Sequence, residues 1–352
     1  MKPIRTAILS YGMSGEVFHA PLLHAHPGFE LAVVVQRTKD TARQHYPTCR
    51  VVRTVEEAIQ DPAIELIIVN TPNELHFKQA AQALQAGKHV VVEKPFTVTI
   101  KEADELIALA KSVNKVLTVF QNRRWDGDFL TLQHVINNRW VGRIVEFEAH
   151  YDRFRNYIEP GSWKEEAGVG KGILYNLGSH MLDQVLVLFG MPDVVDARMG
   201  IQRTGGQVDD YYDLRLTYPG LNVIVKSSYL VRIPGPRYQL HGTEGSFVTS
   251  SNVDPQEQAL KEKQLPGGRD WGTLPKECWG QLNTTIDGAH VQKSIETIPG
   301  NYLGFYDNVY AAIREGASLD VKPEQARDVI HLIEAAYQSN RERKAVRLKV
   351  ES

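Results

Sequence analysis

The first 120 residues alternate short, mainly apolar runs with amphipathic stretches, and this alternation restricts the fold more than any other feature. The apolar runs are rich in Val and Ile and hydrophobic on both faces, which is typical of parallel strands covered by helices. They occupy residues 6–10, 31–36, 66–70, 89–93 and 116–120. The predicted helices between them occupy residues 15–25, 38–45, 55–59, 75–86 and 100–112. This order predicts a doubly wound α/β domain over residues 1–122.

Beyond residue 122 the pattern changes to long runs in which polar and apolar residues alternate, as in antiparallel strands with one covered face. The predicted strands occupy residues 144–154, 194–202, 211–218, 221–230, 238–241 and 246–249, with a last one near 346–350. Helices are predicted over residues 126–138, 302–315 and 323–340, and residues 251–300 receive no assignment. Tyr218-Pro219-Gly220-Leu221 predicts a hairpin turn. We expect a second, α+β domain over residues 123–352 with a large, mainly antiparallel open sheet.

Composition excludes several classes of protein. The 352 residues carry a formal net charge of −2 and no long basic tract, which argues against nucleic acid or an anionic membrane as partner. The two cysteines show no metal-ligand or disulfide pattern. No apolar run approaches the roughly 20 residues that span a bilayer. The chain opens on a strand-like segment rather than a signal core, so a cytoplasmic protein is expected.

The first predicted strand ends in Ser10-Tyr11-Gly12-Met13-Ser14-Gly15, and a predicted helix follows at once. This is the dinucleotide-binding fingerprint of a Rossmann domain with serine at its first position. Gly12 lets the backbone approach a pyrophosphate, Gly15 lets the helix pack on the strand, and N–H groups near Met13 and Ser14 bind phosphate. The alternative is an ordinary tight turn. The strand before it and the helix after it favour the nucleotide site.

The second predicted strand ends in Val35-Gln36-Arg37-Thr38, without the carboxylate that binds the ribose 2′-hydroxyl of NAD about 20 residues after the glycine turn. Arg37 offers a permanent cation suited to a 2′-phosphate, with Thr38 as a further donor and helix N-cap. The alternative is a solvated arginine at a strand end. We predict NADP as the cofactor.

The fourth apolar run ends in Val91-Val92-Glu93, and Lys94-Pro95 follows directly. A lysine at the carboxyl end of a parallel strand lies over the crevice where the cofactor binds. There it can donate to a substrate oxygen that changes between hydroxyl and carbonyl. Glu93 either pairs with Lys94 or anchors the loop beside the cofactor. The alternative for Lys94 is a solvated surface charge.

Four segments together carry a resemblance to a known family. They are the glycine turn, the run Thr71-Pro72-Asn73-Glu74-Leu75-His76, the Glu93-Lys94-Pro95 motif, and residues 172–183 with the sequence GILYNLGSHMLD. In order and spacing, over essentially the whole chain, they resemble the Gfo/Idh/MocA oxidoreductases, which include glucose–fructose oxidoreductase and inositol dehydrogenases. Residues 12–21 resemble the branch that contains NADP-dependent scyllo-inositol dehydrogenases.

The resemblance implies roles for individual residues. Lys94 contacts both the substrate oxygen and the cofactor, and the Lys94–Pro95 peptide bond is cis. His180 transfers the proton. The residues implied beside the nicotinamide half of the cofactor are Thr71, Pro72, Asn73 and His76.

An imidazole titrates near neutrality, which suits the role implied for His180. Asn176 precedes His180 by one helical turn and Asp183 follows by nearly one turn, so all three can share a face. Asp183 either orients His180 or supports the fold, and a lone histidine on an apolar helix is more often structural. The family commonly has aspartate where Asn176 stands. Asparagine can bind substrate but carries no charge and cannot act as a base.

Substrate-side candidates follow the last Rossmann strand and a later one. Asn122 and Arg123 lie where the chain enters the second domain, and Arg155 and Trp163 offer a guanidinium and an indole to a polyol. Surface charge and a packing tryptophan are the alternatives. The helical series Tyr302, Phe305, Tyr306, Val309 and Ile313 is interpreted as core. No metal site is predicted, since hydride transfer to nicotinamide needs none.

These observations predict an NADP-dependent oxidoreductase acting on a secondary hydroxyl or ketone of a cyclic polyol or sugar. A non-catalytic NADP(H)-binding sensor on the same fold is the alternative, which Asn176 favours and Lys94 with His180 disfavours. The alternating strands leave one sheet face uncovered, and an apolar face of that size would be unusual in a monomer. We therefore expect at least a homodimer that buries alternate residues of 211–218 and 221–230.

Overall fold

The structure is a computed structural model that describes residues 2–249 and 254–348. Those residues form two compact units. The first contains residues 2–125, 254–272 and 301–327, and the second contains residues 126–249, 273–300 and 328–348. The expected contiguous division at residue 122 therefore differs from the observed packing, because two later segments belong to the first unit.

The first unit is built on a parallel sheet, as predicted, with six strands instead of the five expected. Its strands are β1 (Ile4–Ile8), β2 (Phe29–Val35), β3 (Arg50–Val52), β4 (Leu66–Val69), β5 (His89–Val92) and β6 (Leu117–Val119). They lie in the order β3-β2-β1-β4-β5-β6, which is the Rossmann arrangement. β3 was not predicted, since three residues are too few to show an apolar run.

Helices α1 to α5 connect these strands. They are α1 (Ala20–Ala25), α2 (Ala42–His45), α3 (Val55–Ile59), α4 (His76–Gln85) and α5 (Ile100–Ser112). Thr54 and Thr99 begin α3 and α5 with reciprocal capping boxes, which explains why those two predicted bounds are correct. Gly87 follows α4 with φ of 75°, a left-handed conformation that favours glycine.

Two later helices complete the first unit. They are α8 (Pro255–Lys261) and α9 (Leu303–Glu315). The core interpretation of the series on and before α9 is confirmed for Tyr302, Phe305, Tyr306 and Val309, which are buried, whereas Ile313 is half-buried. The ring centroid of Phe305 lies 5.0 Å from that of Phe120, which follows β6. This aromatic contact, together with that between Phe29 and Tyr306, joins α9 to the parallel sheet.

The second unit contains a nine-stranded sheet in the order β14-β13-β12-β11-β7-β10-β9-β8-β15. Its strands are β7 (Ile144–His150), β8 (Val194–Gly200), β9 (Tyr211–Tyr218), β10 (Leu221–Ser228), β11 (Tyr238–Gly242), β12 (Gly245–Thr249), β13 (Gly280–Ile286), β14 (Ala289–Ile295) and β15 (Val346–Arg347). All pairs are antiparallel except β7 with β10, so the predicted mainly antiparallel sheet is confirmed. The 218–221 hairpin is confirmed by the pairing of Tyr218 with Leu221.

One face of this sheet is covered by α6 (Gly127–Asn137), α7 (Ser179–Phe189) and α10 (Pro323–Glu342), of which the residues from 328 onward belong to this unit. Phe189 of α7 packs 5.4 Å from Phe147 of β7, measured between ring centroids. Tyr238 of β11 donates a hydrogen bond of 2.8 Å to Gln184 of α7. No helix in the described part of the chain is long and apolar enough to cross a membrane.

The opposite face of the sheet lacks the large apolar patch that was expected there. On β9 the buried residues alternate with Asp213, Arg215 and Thr217, and Lys226 of β10 pairs across from Asp213. This face is therefore largely polar, and the argument that a large apolar patch needs covering is wrong. The apolar members of the alternation are buried under the chain's own helices.

Candidate active site

The glycine turn joins β1 to a π-helical turn over Gly15–His19. A Cβ atom at position 15 would lie 2.1 Å from the carbonyl oxygen of Ser10 and 2.9 Å from the amide nitrogen of Asn70. A Cβ atom at Gly12 would meet only the Ser10 hydroxyl, at 3.6 Å. Gly15 is therefore required by internal packing, whereas Gly12 leaves room beside the turn. That room is what an approaching phosphate needs.

Asn70 holds the glycine turn and was not predicted. Its side-chain oxygen accepts from Ser10 N at 2.9 Å, and its amide nitrogen donates to Ser10 O at 2.7 Å. The pair extends the contact between β1 and β4 by one residue beyond the strands. The available signal was a polar side chain at the end of an otherwise apolar run.

The carboxyl end of β2 places Arg37 and Thr38 in an exposed turn. Gln36 is buried, accepts from Ala42 N at 2.9 Å and donates to Thr41 Oγ1 at 2.8 Å. Thr38 as a helix N-cap is wrong, because α2 begins at Ala42 and Thr41 occupies the capping position. The Gln36 amide fixes this turn in place of a capping threonine, leaving Arg37 at the surface.

The run after β4 turns directly into α4. His76 is fully buried; its Nδ1 lies 2.9 Å from Pro95 O and its Nε2 lies 2.9 Å from Thr71 O. Burial lowers its pKa despite these carbonyl contacts. His76 therefore ties the turn after β4 to the Lys94–Pro95 loop, and its place beside the cofactor stays a prediction. Pro72 and Asn73 lie in the same turn, beside Thr71.

The Lys94–Pro95 peptide bond is cis, as the resemblance implies. Glu93 Oε2 accepts from Lys94 N at 3.0 Å, and Glu93 Oε1 accepts from His19 Nε2 at 3.1 Å. Burial raises the pKa of Glu93, but the His19 hydrogen bond and the nearby charges, including Lys94, outweigh it and lower the pKa overall. Glu93 thus anchors the loop as a carboxylate, and Lys94 itself is half-buried.

In the second unit, a π-helical turn over Leu174–Gly178 leads into α7. Turns of this kind are frequent at functional sites. His180 and Asp183 are buried on α7. Asn176, within the π-helical turn, donates to the Tyr229 hydroxyl at 3.2 Å. Tyr229 was not predicted, since the sequence separation of 53 residues hides the contact.

Arginine side chains flank the Tyr229 ring. The guanidinium carbon of Arg155 lies 5.7 Å from its centroid and that of Arg203 lies 4.8 Å away. Arg203 is buried and pairs with Asp210 at 2.9 Å and Glu165 at 2.7 Å. Glu165 closes the short helical turn Trp163–Glu165, so Arg203 secures the segment that carries half-buried Trp163.

Arg123, predicted as a substrate-side residue, is occupied by ion pairs. Its guanidinium is buried and pairs with Asp254 at 3.3 Å and Glu257 at 2.6 Å. Burial raises the pKa of Glu257, but the Arg123 and Lys261 charges outweigh it and lower it to about 2. Because these carboxylates already bind it, Arg123 joins α8 to the Rossmann sheet and is not proposed as a substrate contact. Its neighbour Asn122 is also buried.

Comparison with known proteins gives consistent results over both units. Residues 4–121 match the Gfo/Idh/MocA family model described as an oxidoreductase NAD-binding Rossmann fold. Residues 133–348 match the C-terminal alpha/beta domain of the same family. The chain is 40% identical to scyllo-inositol 2-dehydrogenase (NADP(+)) IolW of Bacillus subtilis, with 98% of this chain and 96% of that protein covered. It is also 40% identical to the oxidoreductase YdgJ of Escherichia coli K12, with 97% of each covered.

Solved structures agree. The oxidoreductase yvaA of Bacillus subtilis superposes with a TM-score of 0.96 at 38% identity, covering 99% of both chains. An oxidoreductase of Bacteroides fragilis superposes with a TM-score of 0.91 at 45% identity, covering 99% of this chain and all of the other. The chain belongs to the Gfo/Idh/MocA oxidoreductase family.

Proposed function

We propose that this oxidoreductase is an NADP-dependent dehydrogenase acting on a secondary hydroxyl, or the matching ketone, of a cyclic inositol-like polyol or sugar. The observation that carries the proposal is the 40% identity to a scyllo-inositol 2-dehydrogenase named for NADP(+). The chain keeps Lys94 after β5 and His180 on α7, the two residues that such a reaction needs.

The first unit offers a fitting set of groups for the cofactor. The room beside Gly12 suits a pyrophosphate, and Arg37 suits a 2′-phosphate. We propose that the remaining contacts come from Met13, Ser14, Gly15, Thr38, Thr71, Pro72, Asn73 and Glu93 with Lys94. When bound, the nicotinamide accepts or donates the hydride. The protein supplies orientation and charge around it.

In this proposal Lys94 donates to the substrate oxygen and stabilises the negative charge that develops there. His180 takes the hydroxyl proton during oxidation and returns it during reduction. Asn176 binds a substrate hydroxyl through its amide, with the Tyr229 hydroxyl fixing its orientation. Arg155 and Trp163 are the remaining substrate candidates, and Asp183 either orients His180 or supports the fold.

One observation supports a second candidate, a non-catalytic NADP(H)-binding sensor. Asn176 stands where the family commonly has aspartate, and it cannot carry charge. Under this alternative the nucleotide binds but no polyol is oxidised. Lys94 and His180 would then have no chemical task, which is why we favour the enzyme.

We further propose that the protein works in the cytoplasm as a homo-oligomer, at least a dimer. The open face of the nine-stranded sheet carries charges of both signs, such as Arg215 and Asp213. A two-fold axis makes every contact reciprocal, so a single pairing of opposite charges across such a face occurs twice.

A panel of inositols, sugars and their ketones, assayed by NADPH absorbance, tests the function. We expect turnover of at least one cyclic polyol. Lys94→Ala should lower that turnover at least roughly a hundredfold while leaving NADPH binding largely intact, because the lysine acts mainly on transition-state charge. NADPH binding without turnover of any compound would favour the sensor. A fully active Lys94→Ala variant would remove the lysine from the reaction.

A further inference from the structure

A buried hydrogen-bond network in the first unit lies behind the Lys94 loop. His19 Nδ1 lies 2.6 Å from the Tyr306 hydroxyl, and His19 Nε2 lies 3.1 Å from Glu93 Oε1. The other carboxylate oxygen of Glu93 accepts from Lys94 N at 3.0 Å. His19 and Tyr306 are fully buried, so solvent does not compete for these bonds.

Each polar atom of this network has a hydrogen-bond partner. Burial and the Glu93 charge hold the pKa of Tyr306 well above its usual value, so its hydroxyl keeps its proton. That hydroxyl can donate to Nδ1 of His19, and an Nε2–H group donates to Glu93. Both oxygens of Glu93 are then occupied by donors of fixed position. The carboxylate cannot rotate without leaving a buried donor unsatisfied, which costs about 1–3 kcal/mol.

The network joins three elements of the first unit. His19 ends the π-helical turn that begins at Gly15, Glu93 follows β5, and Tyr306 lies on α9. The His19 ring also packs 4.4 Å from the Phe120 ring, centroid to centroid. The turn that fits the cofactor phosphates and the loop that carries Lys94 are therefore held to one rigid frame.

We propose that His19 and Tyr306 are positioning residues that set the orientation of Lys94 through Glu93. The inference rests on the proposed hydride-transfer function. A catalytic group must be held within about 0.5 Å of its productive position, and residues behind it supply that constraint. Loss of the network should therefore lower kcat while the KM for substrate and the affinity for NADPH change little.

The test compares His19→Leu, which removes both hydrogen bonds, with His19→Gln, which keeps an amide donor near the Nε2 position. The matched control is His26→Leu. His26 also contacts α9, through Asp307 at 3.0 Å, but is not part of the network that reaches Glu93. Tyr306→Phe removes only the hydroxyl and retains the ring packing.

We expect kcat to fall at least tenfold in His19→Leu, to recover partly in His19→Gln and to stay within twofold of the parent in His26→Leu. A second readout needs no turnover. The rate at which trinitrobenzenesulfonate modifies the Lys94 amine, followed by peptide mass spectrometry, should rise at least threefold in His19→Leu and Tyr306→Phe and stay unchanged in His26→Leu.

Equal kcat values and equal Lys94 modification rates in the His19 and His26 variants would overturn the inference. A parent protein that turns over no compound would contradict the proposed enzyme, yet the modification rates would still decide whether the network positions Lys94. Thermal unfolding of each variant shows that the compared proteins are folded.

Discussion

At the scale of single residues, the proposed preference for NADP rests on the exposed turn after β2. Arg37 lies there at the surface, while the Gln36 side chain is turned inward to Thr41 and Ala42. The Arg37 guanidinium attracts the 2′-phosphate of NADP. Residues 36–38 contain no carboxylate that could accept a hydrogen bond from the 2′-hydroxyl of NAD. We expect NADPH to bind at least tenfold more tightly than NADH, about 1.4 kcal/mol.

Arg37→Ala should remove most of that preference by weakening NADPH and leaving NADH nearly unchanged. Arg50→Ala is the matched control. Arg50, at the start of β3, is also exposed but pairs with Asp61. Fluorescence titration of each variant with both nucleotides measures the effect. Equal affinities for NADPH and NADH in the parent protein would refute the assignment.

His180 is the proposed proton-transfer residue. An imidazole free in water exchanges a proton near neutral pH. His180→Ala should lower turnover at least roughly a hundredfold and abolish the pH dependence of kcat/KM near neutrality. The pH profile of parent and variant, measured with the best substrate of the panel, checks this. An active variant without pH dependence would show that another group transfers the proton.

Residue types and spacing predicted the glycine turn, the Glu93-Lys94-Pro95 loop and the helical segment around His180, since each is a continuous run. The π-helical turn that holds Asn176 was not predicted. Contacts between residues far apart in the sequence leave no local pattern and were not predicted. Arg123 looks like a binding residue until Asp254 and Glu257 are seen to neutralise it. The support of Asn176 by Tyr229 was invisible for the same reason.

At the scale of elements, the glycine turn shows that two glycines of one motif have separable tasks. Gly15→Ala should force its Cβ against Ser10 O, 2.1 Å away, and lower the free energy of unfolding by about 1–3 kcal/mol. Gly12→Ala meets nothing closer than 3.6 Å and should leave stability unchanged. It should nevertheless weaken NADPH binding, because its methyl group occupies the room beside the turn.

Denaturant unfolding and NADPH titration of both variants separate these effects. Each variant serves as the control for the other, since one changes packing and the other changes the open side of the turn. A Gly12→Ala variant that binds NADPH like the parent would show that the cofactor does not approach this position.

Element prediction succeeded where the local pattern was strong. β9 and the two capped helices α3 and α5 have the predicted bounds, because alternation and capping boxes are local signals. No element was predicted within residues 251–300, although this range contains α8, β13 and β14. Its strands lie toward one edge of the sheet and expose many polar side chains, so their apolar pattern is weak.

At the scale of the whole molecule, the domain prediction was limited because local sequence patterns do not show contacts between distant segments. A change from strand–helix alternation to long alternating strands marks the end of the Rossmann pattern near residue 122. It does not reveal that residues 254–272 and 301–327 return to the first unit. Their aromatic and ion-pair contacts, such as Phe305 with Phe120, depend on chain positions far apart.

The oligomeric state is a further property of the whole molecule. Substitutions on the open face of the nine-stranded sheet can test it. Ile224 lies near the middle of β10 on that face, opposite Arg215 of β9, and is half-buried. Interfaces of this kind combine a few apolar side chains with arginine and tyrosine instead of a continuous apolar patch. A self-complementary face of this composition predicts a two-fold dimer.

Light scattering at micromolar concentration should therefore give at least twice the chain mass of 39.6 kDa. Ile224→Arg should shift the mass toward the monomer, because two-fold symmetry brings the added charge near its own copy. Ile233→Arg is the matched control, since Ile233 is 88% exposed and lies outside the sheet. A stable monomer for the parent, or equal masses for the parent and both variants, would exclude this face as the interface.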